Sequence, residues 1–315
     1  MRIVEEEEVR RRLTMPVCID LMRTALKALE SGQATQPLRT IVKLPGGEPF
    51  GFMPAVLADE GYFGAKVLAA FPQNLGTGYP SHTGYVVLFE GEHGCFVGMA
   101  DATSVTEVRT GAVSGVATDL LARKDAHTLA IIGAGAQGRS HLAAMREVRD
   151  IRSVKVFDLV PECAERYCAE MSAKYGIPVT SAASAEEAVR DADIVCTVTP
   201  SKEAYLKAEW IAPGTHVNAV GTFTPTTREV TSELVARSRL YADQVEAMLR
   251  ESGEYLIPKE EGLLDEHHIV GSIGEVLLGK APGRESEEEI TLFDALGLAV
   301  EDVVCARWLC VEEEN

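Results

Sequence analysis

The sequence has no apolar run long enough to span a bilayer and no C-x-x-C pair. The first absence argues against a membrane protein, because a spanning helix needs roughly 20 consecutive apolar residues. The second removes the usual signal for a zinc knuckle or a redox dithiol, so no metal site is expected. The seven cysteines (Cys18, Cys95, Cys163, Cys168, Cys196, Cys305, Cys310) are odd in number and scattered, which reads as reduced thiols. Positive charge is also scarce. Thirty Lys and Arg face 48 Asp and Glu, a net charge of −18 that disfavours nucleic acid or an anionic membrane surface as a partner. The first residues, Met1 to Leu13, are charged and lack the apolar core of a signal peptide, and the expectation is a cytoplasmic protein.

What is present is an ordinary globular composition, 46% hydrophobic and 25% charged, over 315 residues. That length suits one large domain or two ordinary ones. The texture changes near residue 118. Before it come short β-like runs, Leu38 to Leu44, Tyr62 to Ala69, Gly84 to Phe89 and Cys95 to Met99, separated by turn residues such as Pro45-Gly46-Gly47. Helical spacing of Ile19, Met22, Leu26 and Leu29 predicts a helix over Cys18 to Leu29, and a second is expected from about Ser104 to Ala122. From Thr128 onward, strand-like runs alternate with helical stretches: Leu129–Ile132, Val154–Phe157, Ile194–Val198, Val217–Val220 and Leu240–Ala242. That rhythm predicts an α/β fold with a Rossmann, doubly wound parallel sheet. The tail, Ile290 to Val311, reads as a helix interrupted at Leu296-Gly297-Leu298 that packs back on the body. The expected layout is therefore a discontinuous α+β domain, residues 1–118 plus 291–315, with a dinucleotide-binding domain, residues 119–290, inserted into it.

Within the second region, the short strand Leu129–Ile132 leads directly into Gly133-Ala134-Gly135-Ala136-Gln137-Gly138 and then a helix. Gly133 permits the tight turn, Gly135 lets a pyrophosphate approach the backbone, and Gly138 lets helix and strand pack closely. The phosphates would rest on the free N–H groups of the helix N-terminus. A lone G-x-G-x-x-G is weak, being also compatible with a plain turn or a methyltransferase, but here the next strand ends in Asp158, twenty residues on. A carboxylate there accepts both ribose hydroxyls and repels a 2′-phosphate, and no basic residue follows it directly, so NAD is expected rather than NADP. The loop Thr197-Val198-Thr199, leaving a strand at its carboxyl end, is expected to add a cofactor contact, although a plain strand-to-helix turn reads the same way. Thr110 is counted with these contacts.

In the first region three cations interrupt apolar or small-residue runs: Arg39, Lys66 and Arg109. Converging, they would make a carboxylate pocket inside an acidic protein. Taken singly, each also reads as a surface or ion-paired residue, and His82 reads as structural as easily as catalytic. Spacing alone does not choose among them.

The glycine motif, Phe52-Met53-Pro54-Ala55, Gly64-Ala65-Lys66, Pro80-Ser81-His82, the block from Asp101 to Ala112, Ala219-Val220-Gly221, and Phe293 with Gly297 to Asp302 together resemble the ornithine cyclodeaminase/μ-crystallin family, in order and over nearly the whole chain. The resemblance implies a homodimer formed through the first domain. It also implies that a small imino or amino acid is held by its carboxylate at Arg39, Lys66 and Arg109, facing the nicotinamide. Two departures matter. Phe223 stands where cyclodeaminases carry an aspartate, and cyclisation of a diamino acid needs a carboxylate to orient and deprotonate the attacking amine. Asp294 stands where many members carry lysine. The function implied is an NAD(H)-dependent oxidoreductase acting on the C–N bond of an α-imino or α-amino acid, as in the ketimine-reductase branch. Lys66, and less strongly His82, would move the proton, and Phe223 would shape the pocket. The alternatives are a cyclodeaminase, with Glu229 replacing the missing acid, and a crystallin-like protein that binds the cofactor without turnover.

Overall fold

The computed structural model describes residues 1–74 and 76–312. The chain begins with β1 (Arg2–Val4), α1 (Glu6–Arg12), α2 (Met15–Glu30), β2 (Ala34–Thr35), β3 (Thr40–Lys43), β4 (Pro49–Leu57), β5 (Tyr62–Ala70), β6 (His82–Glu90) and β7 (Phe96–Asp101). It continues through α3 (Ala102–Leu121), β8 (Thr128–Ile132), α4 (Ala136–Val148), β9 (Ser153–Phe157), α5 (Pro161–Tyr175), β10 (Val179–Ser181), α6 (Ala185–Val189) and β11 (Ile194–Thr197). The remainder is β12 (His216–Ala219), α7 (Ser232–Arg237), β13 (Arg239–Ala242), α8 (Val245–Glu251), α9 (Gly253–Glu260), β14 (Ile269–Ser272), α10 (Ile273–Leu277), β15 (Thr291–Asp294) and α11 (Ala299–Val311). It forms two compact units, Met1–Arg109 with Leu298–Asn315, and Thr110–Gly297.

The first unit is a mixed sheet in the order β1-β7-β6-β5-β4-β2, with β3 also paired to β4. All its ladders are antiparallel except β1 with β7. β4 shows why one face is covered: Gly51, Met53, Ala55 and Leu57 are buried, while Phe50, Phe52 and Val56 are exposed, the period of two that a one-sided strand requires. Helix α11 covers the buried face and is itself buried nearly all round, from Ala299 to Cys310. Two of its buried residues are not apolar, Glu301 and Asp302 in the first turn.

The second unit is an eight-stranded parallel sheet in the order β10-β9-β8-β11-β12-β15-β13-β14. Its strands β8, β11, β12 and β15 are short and buried on both faces, as parallel strands flanked by helices must be. The chain leaves β8 toward β9 and β10, then returns to the other side of β8 as β11. That reversal opens a crevice at the carboxyl ends of β8 and β11, where ligands bind in such sheets.

Two expectations need correction. Residues 291–294 are not the start of a tail helix but β15, an interior strand paired with both β12 and β13. A short, fully buried apolar run carries no periodicity to separate strand from helix. Gly297, at φ +82°, breaks the chain direction before α11 begins at Ala299. The strand β4 also lies where no strand was expected. Its Pro54 argues against an interior strand by the usual rule, yet Pro54 pairs opposite Ala65 within the ladder to β5.

Candidate active site

In the second unit the glycine turn is built as a cradle. Gly133 has φ +111°, and a Cβ there would stand 2.9 Å from the Val198 carbonyl oxygen, so only glycine fits between the ends of β8 and β11. A Cβ at Gly138 would collide with the Gly133 carbonyl, and the Tyr167 hydroxyl donates to the Gly138 carbonyl at 3.0 Å. Gly135 is different: a Cβ would meet nothing within 4 Å, and the residue is exposed at the start of α4 with no side chain capping the helix. Open space above unsatisfied N–H groups at a helix N-terminus is what a pyrophosphate needs.

Around this turn, Asp158 follows β9, half-buried, with Oδ2 accepting the Ala134 N–H at 2.8 Å and Oδ1 accepting the Val160 N–H at 2.9 Å. Each oxygen retains a lone pair for a ribose hydroxyl. Ala136 is exposed in the first turn of α4, and the buried side-chain oxygen of Gln137 has no hydrogen-bond partner. Val198 and Thr199 are half-buried beside Gly133, whereas Thr197 is wholly buried in the sheet. Thr110, buried in α3, lies one residue from Gly111, whose position admits no Cβ against Ser140 of α4. These residues fit NAD: a phosphate cradle, an acid for the adenosine ribose, and strand-end loops for the remaining half.

Sequence reasoning did not anticipate how those loops are tied. Glu229, 0% exposed, accepts from the Thr199 N–H (2.8 Å), the Thr199 hydroxyl (2.6 Å) and the Tyr205 hydroxyl (2.8 Å) through Oε1, and from the Gly221 N–H (2.8 Å) through Oε2. A carboxyl occupied in this way holds the loops after β11 and β12 together and is not free to orient a diamino acid. Glu254 in turn accepts the N–H groups of Glu229 and Val230. Phe223, two residues beyond Gly221, is 53% exposed. Asp294, at the carboxyl end of β15, is buried and accepts from the Ser252 hydroxyl. Burial pushes its carboxyl up to about 8, with nearby Asp243 and Glu229 adding to the rise and the Ser252 bond opposing it.

In the first unit, two of the three predicted cations meet. Lys66 on β5, 2% exposed, forms an ion pair with Asp302 Oδ2 at 2.8 Å and donates to the Thr106 hydroxyl at 3.4 Å. Arg109, near the end of this unit's part of α3 and also buried, pairs through NH1 with Glu301 Oε2 at 2.9 Å and through Nε with Asp302 Oδ1 at 3.3 Å. Burial lowers the Lys66 ammonium to about 8, with the Asp302 carboxylate opposing the fall and Arg109 reinforcing it. Arg39 is half-buried one residue before β3. The ladder register, Thr40 opposite Phe52 and Met53 opposite Lys66, extended by one residue, puts Arg39 in the same cross-strand row as Lys66. His82 is not brought to this row. It is exposed at the start of β6, opposite Ala70, bonded to the Ser81 hydroxyl, and four residues from the Val86 that opposes Lys66, a separation of roughly 13 Å along the strand. Glu301, Asp302 and Thr106 are residues the sequence reading missed. The available signal was an acid pair inside an otherwise apolar helix.

The family model described as ornithine cyclodeaminase/mu-crystallin matches residues 1–314. A Delta(1)-pyrroline-2-carboxylate reductase of Bacillus cereus is 33% identical over 311 residues, covering 98% of this chain and 95% of the relative. Among solved structures, Thermococcus litoralis Delta(1)-pyrroline-2-carboxylate reductase in complex with NADH and L-proline superposes with TM-score 0.94 at 38% identity, over 98% of this chain and 96% of that one. An archaeal alanine dehydrogenase dimer with bound NAD gives TM-score 0.92 at 33% identity, over 98% and 94%.

Proposed function

This chain belongs to the ornithine cyclodeaminase/mu-crystallin family, and we propose that it reduces a cyclic α-imino acid with NADH, Δ1-pyrroline-2-carboxylate going to L-proline being the leading case. It is an NAD(H)-dependent oxidoreductase acting on a C–N bond, in keeping with relatives that are reductases of such imines and a neighbour that holds NADH with L-proline. The observation that carries the reading is the pair of buried cations, Lys66 and Arg109, held on the acids of α11.

Arg109 and Arg39 take the substrate carboxylate, guanidinium groups giving the bidentate hold that an ammonium cannot. Lys66, whose ammonium is lowered to about 8, is poised to protonate the imine nitrogen near neutral pH. An iminium carbon is far more electrophilic than the neutral imine. When bound, NADH supplies the hydride that reduces this carbon. Gly133, Gly135, Ala136 and Gln137 receive the pyrophosphate, Asp158 the adenosine ribose, and Val198, Thr199 and Thr110 complete the cofactor contacts. The phenyl ring of Phe223 cannot serve as the base that cyclodeamination needs. Glu229 is committed to the loops, so the acid that this alternative would call on is already occupied.

The exposed apolar face of the first unit's sheet, with Phe50, Phe52, Val56, Phe63 and Phe96, supports a homodimer formed through it, as does the dimeric alanine dehydrogenase neighbour. The test of the reaction is NADH consumption by the purified protein with Δ1-pyrroline-2-carboxylate, Δ1-piperideine-2-carboxylate, or pyruvate plus ammonia. Turnover is expected to be fastest with a cyclic imine. NADH binding with no turnover on any of them overturns the proposal in favour of a cofactor-binding protein.

A further inference from the structure

Lys66 and Arg109 do not meet as bare cations. One carboxylate, Asp302, touches both, Oδ2 on Lys66 at 2.8 Å and Oδ1 on Arg109 at 3.3 Å, while Glu301 takes Arg109 NH1 at 2.9 Å. Both acids are 0% exposed. An acid pair buried in an apolar helix is costly unless each member is paired, and removing one partner strands the other. Here the acids stand in the first turn of α11, a 13-residue helix, where negative charge meets the positive end of the helix dipole. The helix is fixed from outside as well, the Val300 N–H donating to the Gln36 side chain at 2.9 Å.

Four elements present groups to Lys66. From α11 come Asp302 and Glu301, and from α3 come Arg109 and the Thr106 hydroxyl. Its cross-strand neighbours Met53 on β4 and Val86 on β6 are apolar and buried. In so dry a place an isolated ammonium would lose its proton below neutral pH, and Arg109 pushes in the same direction. Asp302 is the strongest influence in the opposite direction.

We propose that Asp302 is the positioning residue that keeps Lys66 a proton donor, and that its bridge to Arg109 fixes the ammonium and the guanidinium at a set spacing for one substrate carrying both a carboxylate and an imine nitrogen. The inference rests on the imine-reductase reading of the chain. In the reaction, an N–H bond forms at the imine nitrogen as an N–H bond of Lys66 breaks. The hydride then adds to the α carbon, and water returns a proton to the neutral amine after product leaves. Asp302 itself exchanges no proton. Its negative charge holds Lys66 charged until substrate arrives, and Glu301 keeps Arg109 from drawing that charge away.

The experiment compares wild type with Asp302→Asn, Asp302→Glu and Glu301→Gln, measuring kcat/KM for NADH-dependent reduction of Δ1-pyrroline-2-carboxylate from pH 5.5 to 9.5. For Asp302→Asn the alkaline limb is expected to move down by more than about one pH unit, with kcat/KM at pH 8 falling more than about fivefold and that at pH 5.5 falling much less. Asp302→Glu should recover much of the limb. Glu301→Gln should raise KM more than it lowers kcat. NADH fluorescence titration controls for folding of the second unit. A uniform fall at every pH, or an unmoved limb, overturns the proposal and leaves Asp302 a merely structural acid. Should wild type turn over none of these imines, the reaction assignment has failed, and NMR of ε-15N-lysine protein still decides this inference. A lower titration midpoint of Lys66 in Asp302→Asn than in wild type supports it, and an equal or higher one contradicts it.

Discussion

Single residues carry the proposed choice of cofactor and of chemistry. The place of Asp158 beside the glycine turn was legible because it needs only a strand end and a fixed distance from the glycines, both readable along the chain. Lys66 and Arg109 were legible as oddities, cations within apolar runs, but their partners were not. Glu301 and Asp302 lie some 190 residues further along the chain from Arg109, and no local pattern links a β5 lysine to the start of the last helix. His82 shows the opposite failure, a plausible residue type that the strand register leaves four positions from the row that matters. The cofactor assignment at Asp158 can be tested directly. Replacing Asp158 with Ser and Leu159 with Arg removes the carboxylate that repels a 2′-phosphate and supplies a guanidinium to receive it. Steady-state kinetics should then show the NADPH/NADH preference shifted toward NADPH by about tenfold or more (~1.4 kcal/mol). An unchanged preference would remove Asp158 from the ribose site.

At the scale of elements, alternation and glycine chemistry were readable, and full burial was not. β5, β6, α2, α3 and the strands β8, β9, β11, β12 and β13 fell close to where periodicity put them. β15 was taken for helix because Thr291–Asp294 is buried on every side and so lacks a polar face to mark its period. β4 was not anticipated, and its Pro54 lies within a ladder where proline is unusual. The burial of β15 has a consequence for pH. Asp294 is held at about 8 by burial, far above an ordinary carboxyl. A carboxyl raised in the folded state keeps its proton where the unfolded chain has lost it, so stability is full below the ordinary carboxyl range and falls as pH climbs to about 8. The slope is at most about 1.4 kcal/mol per pH unit for one proton. Asp294→Asn keeps a partner for the Ser252 hydroxyl and removes the proton. Denaturant unfolding from pH 5 to 9 should show a shallower decline for the variant, which becomes the more stable protein at pH 9. Parallel declines would mean that Asp294 does not hold its proton. Glu229 and Glu254, also raised by burial, leave part of the slope in both proteins.

For the whole molecule, an acidic chain of net charge −18 buries Lys66 and Arg109 on the acids of α11, and in the proposed reaction these are the cations that receive a small anion. No helix among the described residues is long and apolar enough to cross a membrane. The homodimer proposed through the apolar sheet face of the first unit predicts that light scattering returns twice the 34.0 kDa chain mass, falling to the chain mass in the double variant Phe52→Asp, Val56→Asp. The central claim is hydride delivery to the α carbon of a cyclic imino acid, and one measurement meets it most directly. The protein is supplied with Δ1-pyrroline-2-carboxylate and NADH carrying deuterium at both C4 positions, and the product is isolated and read by NMR and mass spectrometry. The expected product is L-proline with one deuterium, at the α carbon, formed in step with NAD. Proline without deuterium, or NADH left unconsumed while the imine persists, would contradict it.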